Sequence, residues 1–111
     1  MSSFIPANIA ATESSARVPL EIKRQLGVAT LMGMGAHNLA YYRDALTFDA
    51  RIVKPGTRQV RIMRVTITLT PFDLYDMSIG FLNKRTFEWE SLEDAKDIYA
   101  ETMVEIARKY V

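Results

Sequence analysis

A chain of 111 residues, 49% hydrophobic and 24% charged, can bury one core, so a single globular domain is expected. It contains no cysteine, which removes disulfides, thiolate chemistry and cysteine-based zinc sites, and its one histidine is a thin basis for catalysis or metal binding. The net charge of +1 conceals an asymmetry: residues 43–85 carry +4 and residues 86–111 carry −4.

Residues 1–17 are rich in serine and alanine and poor in large apolar groups, which predicts a flexible N-terminal arm ahead of one α+β domain spanning 18–111. That segment has neither a basic n-region nor a long apolar stretch. No later window approaches eighteen apolar residues, so neither a signal peptide nor a membrane span is expected, and a cytoplasmic location follows. Pro19 in a first turn, Leu20, Ile22 and Leu26 among charges, and Gly27 as a stop predict a short helix over 19–26. The apolar run 28–34 predicts a buried strand that ends in a turn through Gly35, Ala36, His37 and Asn38.

Strand signals follow. Leu46, Phe48, Ala50 and Ile52 alternate with Thr47, Asp49 and Arg51, and Pro55-Gly56 closes a hairpin. Val65, Ile67 and Leu69 then point inward against Arg64, Thr66 and Thr68, with a bulge expected where Ile62 and Met63 break the alternation. Tyr75, Met77, Ile79 and Phe81 form another inward row, and Asn83-Lys84-Arg85 turns into a short strand with Phe87 and Trp89. Ser91 with Asp94 three residues on, acids in the first turn, and Leu92, Ala95, Ile98, Tyr99, Met103, Ile106 and Tyr110 on one stripe predict a long amphipathic helix over 91–110. The fold class is therefore α+β: a short N-terminal helix, an antiparallel meander of four to five strands, and a long C-terminal helix packed on one face, leaving the other face wet.

With these elements in order, Gln25-Leu26-Gly27, Met34-Gly35-Ala36-His37-Asn38, and Thr68-Leu69-Thr70-Pro71-Phe72-Asp73-Leu74-Tyr75-Asp76 give the chain a pattern over residues 18–110. It resembles small uncharacterised proteins of phages and other mobile elements, in which a short helix, a methionine-glycine-alanine turn and strands follow in that order. The resemblance implies a context and no chemistry. In outline, a four-stranded meander followed by a long helix is also similar to the Whirly and Pur-alpha class of single-stranded DNA binders, in topology alone.

Residues 51–72 contain Arg51, Lys54, Arg58, Arg61 and Arg64 and no acid, and Lys84 and Arg85 follow in a turn. Arginine in place of lysine at four of those five positions favours planar contact with phosphates or bases. The bland explanation is that the basic sheet only balances an acidic helix. His37 is expected as a turn residue, and Gly33-Met34-Gly35 lacks the third glycine of a dinucleotide fingerprint. Asp73 is expected to hold a turn, and Asp73, Asp76, Glu88 and Glu90 are not expected to form a catalytic pair. Most aromatic residues fall at core spacing, whereas adjacent Tyr41 and Tyr42 must point opposite ways, which offers Tyr42 as a stacking platform.

The expected function is therefore a nucleic-acid-binding accessory protein of a phage or mobile element, contacting nucleic acid, single-stranded DNA above all, on one exposed basic face of the sheet through Arg51, Lys54, Arg58, Arg61, Arg64, Lys84, Arg85 and Tyr42. The alternative is a protein-interaction module, an inhibitor or adaptor, with homodimerisation through the open sheet as its simplest form. No enzymatic activity, cofactor, metal or membrane partner is expected.

Overall fold

A computed structural model describes residues 16–53 and 56–111. The expected arm therefore lies outside the described residues except at its end, where Ala16 is buried and Arg17 already begins helix α1 (Arg17–Leu26). Pro19, Ile22 and Leu26 bury one stripe of this helix, and Lys23 and Arg24 complement the dipole of its last turn. Gly27 ends it at φ 86°, a conformation open to glycine, with its N–H donating to Lys23 O.

Residues 28–33 are not a strand but a second short helix, α2 (Val28–Gly33). The chain satisfies its amides locally here, Leu31 N–H donating to Gly27 O and Met34 N–H to Thr30 O. The adjacent residues Thr30 and Leu31 face the core while Val28 and Met32 face solvent, a helical pattern of burial. The expected turn residues His37 and Asn38 instead open β1 (His37–Tyr41), with the His37 ring Nδ1 2.8 Å from Gly35 O.

The sheet is an antiparallel meander in the order β1-β2-β3-β4-β5. β2 (Ala45–Val53) and β3 (Val60–Leu69) pair without interruption from Ala45↔Thr68 to Val53↔Val60, so the bulge expected at Ile62 and Met63 is absent. Ile62 simply faces solvent, 54% exposed, and Met63 faces the core, 1% exposed. Irregularities fall in the two outer pairs instead, between His37 and Ala40 of β1, and between Tyr75 and Met77 and between Ile79 and Gly80 of β4 (Tyr75–Asn83).

The inward rows are those the alternation predicts. Phe48, Val65, Ile67, Met77 and Ile79 are wholly or almost wholly buried and form one cluster with Ile22, Leu26, Leu31 and Met34 of the helical layer.

The largest departure is at the C-terminus. Residues 88–98 form the edge strand β5 (Glu88–Ile98), and the helix over 91–110 shrinks to α3 (Ala100–Arg108). β4 is buried at Met77, Ile79 and Gly80, so the backbone groups along its outer edge require partners, and β5 supplies them from Asn83↔Glu88 to Tyr75↔Ile98. That demand overrides the helix propensity of Leu92, Ala95 and Lys96. Most of the expected stripe still packs: Met103 is buried and Leu92, Ile98, Ile106 and Tyr110 lie against the core, joined by Ala107, Ala100 and Val104, whereas Tyr99 is 67% exposed. An α+β fold with one helix-covered face stands, with two short helices and a five-stranded sheet before a nine-residue closing helix.

Candidate nucleic-acid interface

Because the sheet is a meander, the β2–β3 and β4–β5 connections emerge at the same end. Between them lies an open groove lined by Arg61, Arg64, Phe81, Lys84, Arg85 and Trp89. Arg64 stands on the open face, where it pairs across the ladder with Gly80. A side chain at Gly80 would project into the same space as the Trp89 indole: an added Cβ would sit 2.8 Å from its Nε1. The missing side chain is what lets the indole, 49% exposed, come close against the backbone at Gly80, beside its cross-strand partner Leu82.

Arg61 does not share that face. It pairs with Ile52, which is buried on the helix side, and its guanidinium lies 4.2 Å from the centroid of the Phe81 ring. Strand parity thus divides the basic residues expected on one exposed face, with Arg61 on the helix side and Arg51 and Arg64 on the open side. The groove runs over the hairpin end where the two sides meet.

The cations differ in their attachments. Arg64 Nε is 3.4 Å from Asp49 Oδ1, an ion pair that leaves more than half of its side chain exposed. Among the described residues, Arg58, Lys84 and Arg85 form no ion pair and are exposed. Asn83 shapes the turn that carries the last two: its Oδ1 accepts the Arg85 N–H at 2.9 Å and its Nδ2 donates to Glu90.

Not all expected residues gather here. Arg51 lies farther along the open face, its stem against Gly35, in a second hollow with Met32, His37 and Ile62. Arg58 lies in the β2–β3 connection, and Lys54 is outside the described residues. Tyr42 is at the opposite end of β2, half-buried, with its N–H bonded to Ala45 O, so it is remote from the groove. The aromatic surface of the site is Trp89, which core spacing had assigned to the interior, and Phe81, which packs partly against the core as its inward position requires and also carries the Arg61 guanidinium. Gly80 inside an otherwise apolar strand was the available signal of a ring pressed against backbone.

The acids have structural duties. Asp76 Oδ1 accepts the Asp97 N–H at 2.9 Å. In the loop before β4 it is Thr70, not Asp73, that holds the turn, its hydroxyl accepting the N–H groups of Phe72 and Leu74. No group of three or more His, Asp or Glu suited to a metal ion occurs among the described residues. No helix among them is long and apolar enough to cross a membrane.

No protein family, curated protein or solved structure matches the chain. With a nine-residue closing helix, the likeness in outline to the Whirly and Pur-alpha class also lapses.

Proposed function

We propose that the chain is a nucleic-acid-binding accessory protein of a phage or mobile element and that the hairpin end of its sheet holds single-stranded nucleic acid. The observation that carries this reading is the half-exposed Trp89 indole seated against Gly80 in a groove lined by Arg61, Arg64, Lys84 and Arg85. An aromatic face accepts any base by stacking, and surrounding cations meet the backbone, which together is how single strands are bound without sequence reading. A duplex hides its base faces and would find only the cations.

The chain's single tryptophan makes the test direct. Titration with a single-stranded oligonucleotide at about 50 mM salt should quench Trp89 fluorescence, with an affinity that falls log-linearly as salt rises. Absence of both quenching and electrophoretic retardation refutes the reading.

A second reading has its own support. Val53, Val60, Ile62 and Leu82 are each half or more exposed, and Val53 is the cross-strand partner of Val60. An apolar row of this kind suits a protein partner or a second copy of the chain. Sedimentation showing a dimer whose formation shields Trp89 would favour it.

A further inference from the structure

We propose that Phe87 is a recognition residue of this site, held out by the β4–β5 turn to stack on an unpaired nucleobase; this rests on the nucleic-acid reading above. The backbone of Phe87 is left-handed, with φ 58°. The other non-glycine residues in that region among those described are Asn38, Asp73 and Asp97, whose short polar side chains tolerate it. Phe87 is the bulky exception, and a large residue there is strained.

The turn itself does not need the ring. It is closed by main-chain and asparagine bonds, the Phe87 N–H donating to Asn83 O at 2.7 Å and the Arg85 N–H to Asn83 Oδ1. A glycine would hold the same conformation without strain. Nor does burial offset the strain, because Phe87 is 80% exposed. Folding alone therefore disfavours this residue on two counts, and strain retained without a structural return marks positions that act on a ligand.

The surroundings specify the ligand. Lys84 and Arg85 precede Phe87 in the same turn, both exposed, and Trp89 follows two residues later. An aromatic ring pushed into solvent beside two free cations meets a polyanion that carries its own flat rings. The ring adds a second exposed aromatic surface, in the turn that leads into Trp89 and carries two of the cations lining the groove.

The experiment compares the wild type with Phe87→Gly and Phe87→Tyr by thermal melting and by titration against a labelled single-stranded oligonucleotide. Phe87→Gly should melt at a higher temperature while binding about ten- to a hundredfold more weakly, the loss expected of one stacked base. Phe87→Tyr should keep both the melting temperature and the affinity of the wild type. A Phe87→Gly protein that binds as the wild type does overturns the proposal, as does one that melts lower, since Phe87 would then serve the fold. A wild type that binds no oligonucleotide overturns both the proposal and the nucleic-acid reading, whereas a wild type that binds together with a Phe87→Gly protein that binds equally well overturns the proposal alone.

Discussion

The Tyr110 hydroxyl donates a 2.5 Å hydrogen bond to Glu93 Oε2, tying the end of the closing helix to the middle of edge strand β5. Lys109 Nζ reaches the same oxygen at 2.6 Å. Burial alone would raise the Glu93 carboxyl, but the bonds from Lys109 and Tyr110 outweigh it and hold it below the ordinary value of 4.5. Tyr110 moves the other way: burial, then its bond to Glu93, pushes the phenol above the usual tyrosine range.

The sign of the acid response follows. Glu93 is more acidic folded than unfolded, so its contribution to stability is complete above about pH 4.5 and fades as pH falls through the folded value. Tyr110 keeps its part of the tie below its ordinary value of 10.0 and so remains constant over that range. Glu93→Gln should therefore melt below the wild type at pH 7, with the gap narrowing as pH is lowered toward 3. A gap that stays constant across a pH series of thermal melts would mean that the carboxylate is not what holds helix to strand.

Gly80→Ala tests the seat of the tryptophan. The new methyl would stand against Trp89 and the Glu90 carbonyl, and because one of these is backbone, relief by a side-chain rotation is not enough. A cost of about 1–3 kcal/mol is expected, as for overpacking elsewhere. The displaced indole should emit at longer wavelength. An unchanged spectrum and an unchanged denaturant midpoint would show that Trp89 does not rest on this glycine.

What the sequence made legible were elements that settle their own structure. Period-two alternation places Phe48, Val65, Ile67, Met77 and Ile79 on one face, and Gly27 stops α1, because strand parity and a left-handed cap are local properties. Residues 91–98 are not of that kind: Leu92, Ala95 and Ile98 fit a helical stripe, and only the unmet backbone of β4, remote in sequence, makes them a strand. Residues 28–33 form a helix for a local reason, their bonds closing within the turn as Leu31 N–H to Gly27 O and Met34 N–H to Thr30 O, which an apolar run alone does not announce. For the site, the density of arginine is legible in the sequence, and strand parity already divides it, since Arg61 and Arg64 are three residues apart and must face opposite ways on one strand.

Strand β5 in place of helix also fixes which residues bear the C-terminal packing. Met103 is fully buried against the sheet, and its truncation to alanine should cost about 2–5 kcal/mol. Tyr99 stands at the strand-to-helix corner in solvent, and Tyr99→Ala should change stability by less than about 0.5 kcal/mol. A continuous helix over 91–110 would place both on the packed stripe. Comparable losses for the two variants in denaturant melts would therefore restore the long helix.

The last prediction separates charge that binds from charge that only surrounds. Arg64 pairs with Asp49 at a well-solvated site, so Arg64→Ala should alter stability by no more than about 1 kcal/mol. Arg61→Ala removes an exposed guanidinium from the face of Phe81, a loss of about 0.5–1 kcal/mol for such a contact. Both arginines line the groove, so each substitution should weaken binding of a single-stranded oligonucleotide and lower the slope of log affinity against log salt by about 1, the signature of one phosphate contact removed. Tyr42 provides the contrast. It lies at the far end of β2, roughly 25–30 Å from the hairpins by the rise of a nine-residue strand, and Tyr42→Ala should leave both affinity and slope as they are. A salt slope that responds at position 42 as it does at 61 and 64 would show that the nucleic acid lies along the whole sheet face and not across its hairpin end.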